Sequence, residues 1–188
     1  MPNIGGQILY TPGDIIVNNA GVWGHVAMCY DGEDADGVGN VTFIHGTNKG
    51  NFSIDKKVDV IDEVKENFWQ FKPKNFSTEN QTEIKKAADD IKASAKYGLY
   101  RAVRLFVGSS TFGDDAKARL KKYIDRRGGK KFVTKITCSE AVILCYQLSF
   151  AESSPYFIQK DAAHTLPRTL AEYLKTAVAG WTMVQWPK

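Results

Sequence analysis

The segment Thr137-Cys138-Ser139-Glu140 combines a thiol with the sequence pattern of a helix start. Threonine followed three residues later by glutamate, ahead of an apolar run, predicts a capping box with Thr137 as N-cap and Cys138 as the first helical residue. Unpaired backbone N–H groups and the helix dipole favour an anion there, and the pKa of a cysteine so placed falls from about 8.5 into a range of about 3.5–7.5. Cys138 is therefore a candidate nucleophile or metal ligand.

A nucleophilic cysteine needs a base to accept its proton, and that base needs a third group to hold its ring. Two of the three histidines lie on consecutive predicted strands, His25 within residues 23–30 and His45 at the end of residues 40–45. Consecutive strands are usually antiparallel neighbours, so both histidines should fall at the same end of a hairpin. They are candidates for these two groups, and the alternative is a pair of polar strand residues without a catalytic role. His164, ahead of a predicted helix, is interpreted as a surface or capping residue.

The other elements are predicted from hydrophobic periodicity and turn residues. Alternation and turn signals predict extended segments at 7–10, 14–17, 23–30, 40–45, 56–63, 68–71 and 181–186. Helical spacing and capping residues predict helices at 77–96, 114–127, 138–148 and 167–177. The segment 97–107 has mixed helix and strand character. No repeat or convincing linker interrupts the sequence, so we expect one domain spanning residues 1–188.

The composition argues against several classes of protein. Apolar residues make up 43% of the chain and charged residues 24%, as in an ordinary globular domain. No apolar run approaches the roughly 20 residues of a membrane span, so no integral membrane segment is expected. Three cysteines without CxxC spacing argue against a disulfide framework and a four-cysteine zinc site. Cys29, Cys138 and Cys145 are expected to be free thiols, with Cys145 packed in the core.

Basic residues are concentrated late in the sequence, although the formal net charge is only +4. They are Lys117, Arg119, Lys121, Lys122, Arg126, Arg127, Lys130, Lys131 and Lys135. Such a cluster could serve an anionic partner. A solvated helix face followed by the Gly128-Gly129 turn explains it more simply, because no nucleic-acid-binding motif accompanies it. We therefore expect no nucleic-acid partner.

The first residues, Met1 to Gly6, lack the basic and apolar regions of a secretory signal. We therefore expect synthesis in the cytoplasm. Action in a periplasm or cell wall would then need an export route that bypasses signal peptides, as antibacterial effectors use, together with a secretion or immunity partner protein.

Four short motifs resemble the circularly permuted NlpC-type papain-like cysteine hydrolases, in their YiiX and LRAT-like branch. They are Gly13-Asp14-Ile15-Ile16-Val17, Gly24-His25-Val26-Ala27-Met28, Cys138-Ser139-Glu140 and Leu166-Pro167-Arg168-Thr169-Leu170. In that group the histidine strand precedes the cysteine helix, which is the order in this chain. The motifs cover a minority of the sequence, and residues 75–127 have no counterpart in the resemblance.

The resemblance implies an α+β fold of the permuted papain-like type, with an antiparallel sheet packed against helices. It implies Cys138 as nucleophile, His25 as general base and His45 in the place of the third, orienting residue, with no cofactor. A histidine in that place can accept the ring N–H of the base, but it lacks the carboxylate charge that would stabilise an imidazolium. The third position varies in type within the group.

The reaction that the resemblance implies is acyl transfer through a thioester, and the group includes peptidoglycan peptide hydrolases and lipid acyltransferases. Because the chain has no membrane span and no strongly amphipathic basic helix with a large aromatic face, a cell-wall peptide amide is the preferred substrate over a lipid. Two alternatives from other classes remain at this stage. One is a zinc site formed by His25, His45 and Cys138, and the other is a binding module without activity on the same scaffold.

Overall fold

A computed structural model describes residues 9–18, 24–32, 40–46, 52–56, 60, 68–98, 108–129, 132–133 and 135–185. Within these ranges the chain forms eight β-strands, four α-helices and a short 3₁₀ helix, Ala162–His164. The predicted α+β class is confirmed at this level. None of the helices in the described ranges has both the length and the apolar character needed to cross a bilayer.

Six strands form one antiparallel sheet in the order β4-β3-β2-β1-β5-β8. These strands are β1 (Ile15–Asn18), β2 (His25–Asp31), β3 (Thr42–Gly46), β4 (Phe52–Lys56), β5 (Phe68–Pro73) and β8 (Trp181–Gln185). A separate parallel pair joins β6 (Lys96–Tyr97) to β7 (Lys135–Ile136), directly ahead of the cysteine helix. The strand of His25 therefore lies inside the sheet, between the strand of His45 and β1.

The four helices are α1 (Thr78–Ser94), α2 (Asp114–Arg126), α3 (Cys138–Ser149) and α4 (Pro167–Thr176). Helix α3 packs against α1, β2 and β3, whereas α4 packs against β1 and β8. Helix α3 is buried on almost all sides, and ten of its residues, from Cys138 to Gln147, are buried. The cysteine helix is thus an internal element of the fold.

Strand alternation divides the apolar side chains of the sheet between two cores. Val26 and Met28 belong to the larger core, which also contains the apolar residues of α3 and α4. Ala27, Cys29 and Phe43 belong to a smaller core on the other side of the sheet. Successive residues of β2 therefore face opposite sides of the sheet.

The predicted positions of most elements agree with the structure to within a few residues, and one observed strand, β4, was not predicted. A strand was expected at 56–63, because valines alternate with acids there, whereas β4 occupies Phe52–Lys56. The segment that forms β4 alternates apolar with polar residues equally well, but a serine and an aspartate in it weaken its strand propensity. Of residues 57–63 only Val60 is described, and most of 97–107 lies outside the described residues.

Asp14 closes the turn that leads into β1. Its carboxylate accepts hydrogen bonds from the Thr11 backbone N–H at 3.1 Å and the Thr11 hydroxyl at 2.9 Å. From β5, Gln70 donates to it at 2.9 Å and Lys72 at 2.7 Å. This buried carboxylate therefore satisfies the hydrogen-bond donors of the turn and pairs with Lys72.

The adjoining Gly13 adopts a φ of +95°, and a Cβ there would stand 2.8 Å from the Phe76 ring and 3.1 Å from the Tyr146 hydroxyl. Gly128 also has a positive φ, +81°, but open space surrounds it. We expect Gly13→Ala to lower the free energy of unfolding by about 2–4 kcal/mol, because strain and overpacking act together. Gly128→Ala should cost about 1–2 kcal/mol, because only the backbone strain applies.

Urea unfolding of the two variants and the wild type measures this difference. Equal losses at the two glycines would show that Gly13 is not confined by its neighbours.

Candidate active site

The start of α3 is held by the predicted capping box. The Thr137 hydroxyl accepts the Glu140 backbone N–H at 3.3 Å, and the Glu140 carboxylate accepts the Thr137 backbone N–H at 3.4 Å. Tyr123 of α2 donates to the other oxygen of Glu140 at 2.9 Å. Cys138 is the first residue of the helix and is only 5% exposed. The helix start therefore places a sheltered thiol at the positive end of the dipole.

His25 and His45 meet as predicted. The two rings are perpendicular to within a few degrees, and His25 Nε2 lies 3.1 Å from His45 Nδ1, a hydrogen-bond distance. The contact follows from the antiparallel register of β2 and β3, in which His45 is paired with Ala27. His45 is 2% exposed, whereas His25 is partly exposed at the start of its strand.

Asp55 is a third member of this cluster that the sequence analysis missed. Its Oδ2 atom lies 2.9 Å from His45 Nε2, on the side of the ring away from His25. The Ser53 hydroxyl donates to the same oxygen. In the register of β3 and β4, His45 is paired with Ser53. The signal that could have found Asp55 is the alternation within β4, which puts Ser53 and Asp55 on one face.

The environment keeps His25 neutral. Burial lowers the pKa of His25 to about 4, and the adjacent His45 adds to this shift. A neutral imidazole has one nitrogen with a lone pair, which is the protonation state that a general base requires. A pKa this far below neutrality also makes His25 a weaker proton acceptor than an ordinary histidine.

Contacts at both ends of α3 show that the helix runs parallel to β2. At the far end the Tyr146 hydroxyl donates to the Gly13 carbonyl, and the Gly13 N–H donates to the Cys29 carbonyl at 2.9 Å. At the near end the Ser139 hydroxyl donates to the Thr165 carbonyl at 2.6 Å. Residue 146 is therefore placed beside the end of β2.

The segment after Thr165 continues this contact to the start of β2. Pro167 lies so close to Gly24 that a Cβ on Gly24 would stand 3.1 Å from the Pro167 Cβ. Gly24 directly precedes His25, and Cys138 directly precedes Ser139, whose hydroxyl contacts Thr165. The chain neighbours of Cys138 and His25 are therefore connected through residues 165–167.

Alternation adds a constraint to this placement. Cys138 belongs to the core on the helix side of the sheet. Residues 27 and 29, which lie on the same strand face as His25, face the other core. Pairing of Cys138 with His25 thus requires the two groups to meet at the end of the sheet, where β2 begins. The structure unites His25 with His45, and the meeting of His25 with Cys138 stays a prediction.

Comparison with known proteins identifies no relative. No family model, curated protein or solved structure matches the chain. The papain-like resemblance therefore depends on the sequence motifs quoted above. Within the parts of the chain that the structure describes, no three histidine, cysteine or carboxylate side chains are grouped to hold a metal ion. The zinc alternative thus gains no support from the geometry.

Cys145 and His164 pack against neighbouring residues in the described structure. Cys145 is 1% exposed, which agrees with core packing, and burial raises its pKa far above the usual range of a thiol. His164 is partly buried in the last turn of the 3₁₀ helix, with its Nδ1 atom shielded from solvent. It packs so closely on Gly108 that a Cβ there would overlap its ring.

Four of the late basic residues are paired with acids. Lys117 pairs with Glu152, Arg119 with Asp161, Lys121 with Asp125 and Arg127 with Asp90. Lys130 and Lys131 lie outside the described residues. These pairs favour the interpretation of the cluster as a charged helix surface.

The contrast between the three thiols gives a direct test. At a limiting dose near neutral pH, iodoacetamide should label Cys138 before Cys29 and Cys145, because a helix start favours thiolate and burial suppresses it at Cys145. Peptide mass analysis after brief exposure of the folded protein measures the order. The same reagent on urea-unfolded protein is the control, in which the three sites should react alike. Preferential labelling of Cys29 or Cys145 in the folded state would contradict an activated Cys138.

Proposed function

We propose that this protein is a cysteine hydrolase with the permuted papain-like arrangement, acting through a thioester. The proposal is supported by the hydrogen-bonded His25–His45 pair together with the capped helix start at which Cys138 stands. A nucleophile, a base and a ring that orients the base are the parts that such an enzyme needs. His25 is the proposed base and His45 the orienting residue.

The proposed reaction has two acyl-transfer steps. His25 accepts the proton of Cys138 as the sulfur attacks the amide carbonyl, and backbone N–H groups at the helix start, including that of Cys138, stabilise the oxyanion. The tetrahedral intermediate collapses as His25 protonates the leaving amine, which leaves a thioester on Cys138. His25 then takes a proton from water, the hydroxide attacks the thioester, and release of the acid restores the thiol.

One cavity in the described part of the chain lies beside the segment that contacts the helix start, although Cys138, His25 and His45 are not among its lining residues. It has a volume of about 490 Å³ and lies between residues 108–119 and the segment of Asp161 and His164. His164 adjoins Thr165, whose carbonyl contacts Ser139. The described lining contains the acidic Asp114, Asp115 and Asp161, the basic Arg119 and no large aliphatic side chain.

Arg119 is already paired with Asp161. The charge that the cavity offers a ligand is therefore mainly that of Asp114 and Asp115, which suits a substrate with an ammonium group better than an acyl chain. We therefore place an amide in a bacterial cell-wall peptide first among substrates, another peptide or isopeptide amide second, and lipid acyl chemistry third. Signal-independent export and an immunity or secretion partner belong to the same proposal.

Digestion of purified sacculi tests the function. Wild-type protein should release new muropeptide fragments, detected by mass spectrometry, and Cys138→Ala should release none, because no thioester can form. Cys145→Ala, which removes the other thiol of α3, is the matched control and should retain activity when folded. Absence of new fragments, with Cys138-dependent turnover of a short-chain ester, would move the substrate to the lipid class.

The two histidines should differ in their effects. His25→Ala should lower turnover by about 10²–10⁴-fold, because the proton acceptor is lost. His45→Gln should retain more activity than His25→Ala, since an amide oxygen can still accept the N–H of His25. Steady-state rates of folded variants, checked by circular dichroism, measure the order. Wild-type turnover by a folded His25→Ala would exclude His25 as the base.

A further inference from the structure

Asp55, His45 and His25 form a linear series of hydrogen-bonded groups across three adjacent strands. The distances are 2.9 Å from Asp55 Oδ2 to His45 Nε2 and 3.1 Å from His45 Nδ1 to His25 Nε2. Register holds the series in place, because β3 pairs with both β2 and β4. The sequence resemblance implies roles for His25 and His45 and assigns none to Asp55.

The direction of the hydrogen bonds follows from the chemistry of each group. A carboxylate only accepts, so His45 must donate from Nε2, and a neutral imidazole then has a lone pair on Nδ1. That lone pair accepts from His25 Nε2, which must therefore carry the proton of its ring. The free lone pair of His25 is then on Nδ1.

We infer that Asp55 is a positioning residue that fixes the tautomers of both histidines and so makes Nδ1 of His25 the basic nitrogen. The catalytic consequence rests on the proposed function, whereas the tautomer assignment does not. Asp55 also supplies the carboxylate that His45 lacks. When His25 accepts a proton, the negative charge two groups away stabilises the imidazolium through the intervening ring.

The surroundings of Asp55 agree with this role. Its side chain is 37% exposed, so water has access to the carboxylate. The Ser53 hydroxyl donates to the same carboxylate oxygen and holds it towards His45. His45 is buried, so its bond to Asp55 is shielded from competing water.

The tautomers can be read without any turnover, by ¹⁵N NMR of protein labelled at histidine. The chain has three histidines, and His164→Gln and His25→Gln variants assign their signals. In the wild type at neutral pH, His25 and His45 should both be protonated at Nε2 and bare at Nδ1. Asp55→Ala should give mixed tautomers at both rings, because the carboxylate that imposes the direction is then lost. Asp31→Asn is the matched control, since it removes a carboxylate that pairs with Lys85 at the other end of β2.

Three results would overturn the inference. One is a ring nitrogen Nδ1 of His25 or His45 that carries the proton in the wild type, another is a doubly protonated His45, and the third is unchanged tautomers in folded Asp55→Ala. None of these measurements depends on hydrolysis. Failure of sacculus digestion would therefore count against the proposed cell-wall hydrolase function, whereas the tautomer assignment would be unaffected.

The kinetic consequence is tested with the substrate found in the digestion experiment. Asp55→Asn should lower kcat by about 10–100-fold with little change in KM, by analogy with other residues that orient a functional histidine from behind. Asp55→Glu should recover part of the loss, because it restores an acceptor carboxylate. Unaltered kcat in a folded Asp55→Asn variant with mixed tautomers would show that Asp55 does not position the base.

Discussion

The antiparallel register between β2 and β3 is the constraint on which the candidate site depends. It pairs Ala27 with His45 and so brings the His45 ring within hydrogen-bond distance of His25. Side chains alternate along a strand, and a slip of one residue would send His45 to the opposite face of the sheet. The slip would also transfer Phe43 and Ile44 between the two cores, so apolar burial on both faces protects the register. The stability of the fold and the geometry of the histidines are therefore secured by the same contacts.

The second requirement is that a helix as buried as α3 satisfies its polar groups. Its first turn contains Ser139 and Glu140, both fully buried, and each has a defined hydrogen-bond partner. An unsatisfied group at this depth would cost roughly 1–3 kcal/mol. The Thr137 cap, Tyr123 and the Thr165 carbonyl thus allow a cysteine to stand at a buried helix start. Three separate regions of the chain contribute to that small volume.

The parts that sequence could predict are those with local causes. The capping box around Cys138 involves four consecutive residues, and the core position of Cys145 follows from helical spacing. Both could therefore be predicted from the local sequence. The His25–His45 contact needed only the assumption that consecutive strands pair. Asp55 was missed because its strand is short and half polar, and because its relation to His45 depends on the register of a further strand pair. The position of Cys138 relative to His25 is hardest to predict from the sequence. It depends on tertiary contacts of α3 and on the end of a strand, where the alternation of side chains no longer fixes their orientation.

The chain order of these contacts has a consequence for synthesis and folding. The histidine pair joins residues 20 apart, and both lie in the first quarter of the sequence. The hydrogen bond of Tyr146 to Gly13 spans 133 residues, and the contact that anchors Ser139 uses Thr165, which is made later still. Local contacts form readily, whereas distant ones carry a larger loop-closure cost. During translation the histidine pair can thus form long before Cys138 reaches its final surroundings. The contact that anchors the start of α3 has to wait until Thr165 has been synthesised.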